Sequence, residues 1–498
     1  MNRDAKIAWW AAAATLLFHA LANPHYGFFR DELYFIICGR HPDWGYVDQP
    51  PVVPLLAATT QVFGQSLFLL RFEAAIFAAA SVFVTCRLVQ HFGGGAFAQI
   101  FGALCAGLSP VLVALGMKAG TDMPGLWLWP LGVLCMARAL DGRPRYWLGA
   151  GLAFGFAFES KYSILFLIVA LIAGLLAARE WRAFATRSFW AGAGIGVAIA
   201  LPNALWQATH GFPMAELLRN GQQGKNVVLG PLQYALMQLV ITNPLLALVW
   251  LAGLVWLLLQ PRLRWLGYAY AALLALMIAF HAKHYYMADI YPVLFAAGAV
   301  AIERWTALRA KLRPIAIGTA VLAGLVLLPL VEPILPIETF IAYRHALPLP
   351  DTSTENQARQ PKVQQDWADM FGWPEMVATV ARVYDALPPA DRAKAAIFAG
   401  NYGEAAAIDF FGGRYGLPPA LSGHNQYFLW GPRGYDGSVL IRLGSNETDM
   451  RGRCRSVERA ATFSHPLVMP FENDRPIFVC RGLKTPLPKL WPLTKFYY

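Results

Sequence analysis

A polytopic α-helical membrane domain followed by a soluble α/β domain is the fold class this sequence predicts, and three observations carry it. Of its 498 residues 57% are hydrophobic and only 14% charged, where soluble domains hold roughly 25% charged residues; the mean hydropathy is +0.42. Apolar runs close to the length that crosses a bilayer, about 20 residues at 1.5 Å each, recur from the N-terminus to about residue 331. Beyond about residue 338 the runs shorten, and Asp, Gln, Pro and Gly become frequent. The net charge of +11 gathers neither into a basic helical stripe nor into a zinc module, so it argues for membrane topology and against nucleic-acid binding.

In chain order the spacing predicts eleven spans, near 7–22, 69–90, 96–116, 123–140, 146–160, 162–178, 189–206, 232–259, 265–281, 287–302 and 314–331. Residues 1–337 are then the membrane domain and 338–498 the soluble one. The short loops with Arg143/Arg145, Arg179/Arg182/Arg187, Arg262/Arg264 and Arg304/Arg309/Lys311/Arg313 fall on one side, which the positive-inside bias makes cytoplasmic. The N-terminus is therefore expected inside and the C-terminal domain outside, in the periplasm of a bacterial inner membrane. Within that domain 395–400, 438–444 and 476–480 read as strands and 401–412 as a turn and helix. Cys38, Cys86, Cys105 and Cys135 lie in or beside spans, where a small buried hydrophobe is the default. Cys454 and Cys480 share the outer domain; an oxidising compartment would permit a disulfide, but spacing gives no geometry for it.

The candidate site comes from the outer loops, which hold Asp31, Glu32, Asp43 and Asp48 in the first, Lys118 and Asp122 in the second, Glu159 and Lys161 in the third, and His281, Lys283, His284 and Asp289 in the fifth. Ionisable groups at helix ends are costly to hide and usually face water or one another. Snorkelling explains most of the Trp residues, yet adjacent carboxylates flanked by aromatics, as in FFRDELYF, gain nothing from it. A carboxylate with cations near suits general-base removal of a proton while a phosphate departs, and Asp31 with Lys283 would make such a pair. Pro24, Pro50, Pro51 and Pro54 should keep the first loop ordered, with 51–64 as an interfacial helix. Asp48 has two readings, turn-forming or substrate-lining. The outer domain has three: contact with acceptor, cover for the site, or stability alone, with Asn401, Tyr402 and Glu404 as its candidate ligand edge.

FRDELYF followed by GRHPDWGYVDQPP resembles the first outer loop of bacterial glycosyltransferases that use lipid-phosphate sugars, a family related to protein O-mannosyltransferases and to the aminoarabinose transferase of lipid A. MKAGTDMPG (117–125), ESKYS (159–163) and HAKHYYMADIYP (281–292) extend the likeness, and DWADMFGWPEMV, NYGEAAAIDFFG and SGHNQYFLWGP resemble the outer domain of one bacterial subgroup. The resemblance implies the GT-C fold and an inverting transfer of sugar from a polyprenyl phosphate, typically undecaprenyl phosphate, to an envelope glycan, lipid or protein, lipid A among the candidates. Carried over to this chain it implies Asp31 as general base, Glu32 supporting the loop beside it and Asp122 as a second acidic residue. It also implies Lys283, His284, Lys161 and Arg30 at the donor phosphate, with Tyr285, Tyr286 and Asp48 lining the substrate. A divalent metal is an open question, with Asp31, Asp122 and His284 as the first ligands to inspect. The competing readings are a transporter or lipid-linked sugar flippase, against which the one-sided charges and absent inverted repeat count, and an envelope scaffold.

Overall fold

Every apolar run in the sequence becomes helix in this computed structural model, which describes residues 3–348, 352–356, 359 and 361–498. Five helices are long and apolar enough to cross a bilayer: Ala5–Ala22, Leu67–His91, Arg187–Thr209, His284–Trp305 and Leu312–Leu330. Two more segments are bent pairs, Ala96–Leu108 with Pro110–Gly116 at 66° and Pro231–Ile241 with Pro244–Leu259 at 109°. Four are shorter: Gly125–Leu140, Tyr146–Phe158, Ile164–Ala177 and Arg264–Ala279. The expectation of about eleven crossings is thus corrected to eleven helical segments, of which five, or seven with both bent pairs, have a span's length and composition among the described residues. The short ones rise only about 20–24 Å against a hydrocarbon core of about 30 Å.

Proline sets the bends. Pro110 and Pro244 open the second helix of each pair, where a ring without an N–H disfavours helix at the residue before it. Asn243 takes a positive φ of 76° there, so the run 232–259, expected as one span, is two helices almost at right angles. Glycine sets the closest packing. A Cβ on Gly151 would lie 1.9 Å from the Gly192 carbonyl oxygen, and one on Gly298 2.0 Å from that of Val249. Helix pairs in lipid gain most from such backbone approach, since apolar contact with lipid already satisfies their larger side chains.

Four helices frame the site: α1 (Arg3–Ala22), α2 (Arg30–Arg40), α3 (Val52–Thr59) and α4 (Leu67–His91). The RDE triplet, expected in a loop, opens α2. Of the expected helix over 51–64 only α3 forms. The C-terminal sheet has the order β1-β2-β4-β3, with β1 (Ala395–Phe398) parallel to β2 (Val439–Leu443), and β4 (Arg475–Leu483) antiparallel to both β2 and β3 (Cys454–Phe463). Strand β3 had no signal in the sequence because CRSVERAATF is an edge strand, exposed along most of its length, and its charged residues obey solvent instead of a core. One core joins Leu33, Ile36 and Ala74 of α2 and α4 to Val377, Ile397 and Ala405 of the C-terminal region. Apolar packing therefore runs straight across the expected division at 337/338.

Cys454 and Cys480 are bonded, and the other four cysteines are free and buried. The bond closes a loop with a sequence separation of 26, which in the chain-entropy account stabilises by about 3.5 kcal/mol. The double variant Cys454→Ser/Cys480→Ser should lower the unfolding midpoint accordingly. A reductant should do the same to the wild type and nothing further to the variant, read by thermal unfolding of the purified protein.

Candidate active site

The site is built on the first turn of α2. Phe29 is its N-cap, and Glu32, three residues on, reaches back to accept from the Phe29 backbone N–H at 2.8 Å. The same carboxylate takes Arg71 Nε and Nη2, each at 2.9 Å, and the backbone N–H of Ala119 at 3.0 Å. Arg71 commits its remaining N–H groups to the carbonyls of Asn23 (2.7 Å), His25 (2.9 Å) and Gly27 (2.7 Å). Both side chains are fully buried. With four donors on it and no surface, Glu32 acts as the anchor that ties α2, α4 and the loop at Ala119 together. Arg71, which the sequence reading passed over inside a span, is its partner.

Asp31 points away from that anchor and is partly exposed. Tyr402 Oη donates to Asp31 Oδ1 at 2.7 Å, while Oδ2 has no hydrogen-bond partner among the described residues. Arg30 is ion-paired with Asp369, and its guanidinium lies 5.3 Å from the Phe471 ring centroid. A Cβ on Gly403 would sit 2.4 Å from Arg30 Cγ, so a glycine is needed where the outer-domain helix Tyr402–Phe411 meets α2. Its neighbours Asn401 and Glu404 turn inward, Asn401 to cap the helix and donate to Glu472 and Glu404 to pair with Arg475. Of the candidate edge only Tyr402 faces the site. Arg30 is thus held by a carboxylate, as Lys283 is by Glu355 and Lys161 by Asp122.

Asp48 is bonded at both oxygens, by Tyr34 Oη to Oδ1 at 2.9 Å and by Asn425 Nδ2 to Oδ2 at 3.0 Å, which favours its turn-forming reading. Burial pushes its carboxyl up to about 6, partly offset by those bonds. A raised value means that the folded state binds more protons than the unfolded one between about pH 4 and 6, so Asp48 favours folding more strongly as pH falls through 6. The wild type should gain stability relative to Asp48→Asn between pH 7 and pH 4, by at most about 3 kcal/mol, in paired unfolding curves.

The cations stand opposite. Lys283 Nζ contacts Glu355 Oε1 at 2.9 Å, and Lys225 Nζ contacts it at 3.8 Å. Burial alone would raise Glu355, yet Lys283 and Lys225 bring it down to about 2. Asp31 acts through space on both lysines, so this carboxylate and the two cations share one field. Lys161 pairs with Asp122 at 2.5 Å and lies 3.9 Å from the Tyr286 ring centroid and 5.1 Å from that of Tyr285. Lys118 pairs with Asp366 at 2.5 Å. His284 is buried, its ring edge-on to Tyr285 and its carbonyl accepting from Gln238 at 3.1 Å.

Asp31, Asp122 and His284 have separate surroundings. Among the described residues no group of three or more His, Cys, Asp or Glu side chains is arranged to hold a metal ion, so these three do not form a ligand set. Sequence reasoning missed Glu355, Asp366 and Asp369, which meet cations 72, 248 and 339 residues away.

Helix bundle, C-terminal sheet and one-sided polar site define a polytopic membrane protein of the GT-C fold. Residues 48–206 match the family described as dolichyl-phosphate-mannose-protein mannosyltransferase, a span that holds Asp48, Asp122 and Lys161 and omits Asp31 and Lys283. The lipid A galacturonosyltransferase RgtD of Rhizobium johnstonii is 25% identical over 186 residues, 37% of this chain and 39% of that protein. The chain therefore spans about two-fifths of that relative's length. The structure of ArnT from Cupriavidus metallidurans bound to undecaprenyl phosphate superposes with a TM-score of 0.62 at 13% identity over 94% of this chain and 97% of the other. Its apo form gives 0.61 at 13% identity over 95% and 97%. These matches bear out the family resemblance and the fold read from the motifs.

Proposed function

We propose that the protein is an inverting glycosyltransferase that moves a sugar from a polyprenyl phosphate to an envelope acceptor at the outer face of a bacterial inner membrane. The observation that carries this reading is Asp31, a partly exposed carboxylate that acts on Lys283 and Lys225 and has, among the described residues, no ion pair and one oxygen unbonded. A general base needs such a free lone pair. Asp31 takes the proton of an acceptor hydroxyl or amine as that atom bonds to the anomeric carbon. The bond from that carbon to the phosphate oxygen breaks on the opposite face, and the phosphate departs with the electron pair.

Lys283 and Lys225 receive it. Glu355, a carboxylate seated between them, marks where an anion is stabilised, and preorganised charge of that kind is worth most away from water. Undecaprenyl phosphate, the molecule bound in the ArnT structure, is the donor carrier this arrangement suits. The likeness to the Rhizobium lipid A galacturonosyltransferase supports a lipid A-type acceptor. Lys161 and Asp122 with Tyr285 and Tyr286 form a platform for the sugar. The arginine-rich loops support an inside N-terminus, the disulfide supports a periplasmic residue 338–498 region, and Tyr402 supports a role for that region in holding the base.

The test is transfer of labelled sugar from a panel of undecaprenyl-phosphate sugars to an envelope extract by the purified protein. Lys283→Ala should raise the KM for donor by roughly 10- to 100-fold, the range expected when one charge-assisted contact is lost, with a smaller change in kcat. Net movement of intact donor across a vesicle bilayer without transfer would favour a flippase and overturn the reading.

A further inference from the structure

We propose that the end of the helix bundle opposite the candidate active site carries a second site, a guanidinium-lined pocket for a phosphate-bearing anion. Helix α4 rises about 36 Å from the outer domain to its far end. There Arg87 and His91 join Arg138 and Asp141 from the end of Gly125–Leu140, Arg143 from the next turn and Arg262 from the turn before Arg264–Ala279, around a cavity of about 550 Å³. That volume lies within the roughly 300–1,000 Å³ of ligand pockets.

Charge separates this pocket from ordinary loop arginines. Its one carboxylate, Asp141, is engaged by Arg262, whose Nε donates to Oδ1 at 2.5 Å. Arg87, Arg138 and Arg143 have no carboxylate partner among the described residues. Tyr146 holds the Arg138 guanidinium at 5.2 Å from its ring centroid, so that group is positioned and not dispersed. The positive-inside bias accounts for arginines at this face, and Arg179, Arg182 and Arg187 show its usual form, exposed along one loop. Three uncompensated guanidiniums around one concavity repel one another, and a phosphate that accepts from two of them removes that repulsion with planar, bidentate bonds. The ligand class is a phosphate ester, from an anionic lipid headgroup or from a soluble diphosphate.

The experiment uses the full chain in detergent. Cardiolipin retention against phosphatidylcholine is read by native mass spectrometry, and pyrophosphate binding by calorimetry, for the wild type, Arg138→Gln/Arg143→Gln and the same-face control Arg179→Gln/Arg182→Gln. At least tenfold weaker binding of one probe in the pocket variant, with the control within twofold of wild type, is expected. Loss for cardiolipin alone assigns a headgroup; loss for pyrophosphate assigns a soluble phosphate. No binding of either probe above the phosphatidylcholine level, or equal weakening in both variants, overturns the proposal. Should the pocket variant fail to fold, phenylglyoxal labelling of the wild type decides: the bound probe should slow modification of Arg138 and Arg143 at least fivefold more than that of Arg179 and Arg182, and uniform rates overturn the site. This site stands apart from the transfer reaction, so either can fail alone.

Discussion

Asparagine at position 31 should lower sugar transfer by about 10²- to 10⁴-fold, the usual contribution of a general base, while unfolding stays within about 1 kcal/mol of wild type. The second half follows from geometry. Asparagine keeps a carbonyl oxygen for the Tyr402 hydroxyl that donates to Oδ1, and the residue is partly exposed with no ion pair to lose. The first half follows because an amide has no basic lone pair to offer at Oδ2. Donor KM should move little, since the cations proposed to hold phosphate are Lys283 and Lys225. Transfer by the variant within tenfold of wild type would remove Asp31 as base and move attention to Asp122.

Tyr402→Phe separates positioning from chemistry. It deletes the hydrogen bond that orients Asp31 and leaves the carboxylate itself, so its effect on kcat should be smaller than that of Asp31→Asn. Both depend on a contact between residues 371 positions apart, which explains what the sequence could and could not disclose. Apolar run length placed all eleven helical segments, because burial in lipid acts on each run separately. It left the bends unread, since Pro110 and Pro244 act through local backbone and not through hydropathy. The cations at 118, 161 and 283 were visible as exceptions to apolar composition. Their partners Asp366 and Glu355 were not, because ordinary acidic residues in a polar region stand out against nothing. Arg71 was hidden for the opposite reason: an arginine in the second turn of a 25-residue apolar helix looks like an interfacial residue until Glu32 is seen to face it.

That pair gives the largest expected effect on stability. Arg71→Met leaves Glu32 as an uncompensated buried carboxylate, and breaking a buried pair from one side costs about 3–5 kcal/mol, a large part of the 5–15 kcal/mol that holds a typical protein folded. Glu32→Gln should cost somewhat less, because the amide oxygen still accepts from Phe29 or Ala119. Arg71→Lys should recover less than half of the loss: an ammonium has three donors in one place and cannot reach the carbonyls of Asn23, His25 and Gly27 together with Glu32. The double variant Glu32→Gln/Arg71→Met should lose less than the two single costs added together, since neither partner is then left charged alone. Denaturant unfolding of the four variants in one detergent, followed by tryptophan fluorescence, measures these differences. A loss below about 1 kcal/mol for Arg71→Met would mean that water reaches Glu32 and that α2 is positioned by apolar packing alone. Because this anchor fixes the turn that carries Asp31, the folded fraction of Glu32→Gln should also transfer sugar more slowly at saturating donor, through misplacement of the base and not through any chemistry of its own.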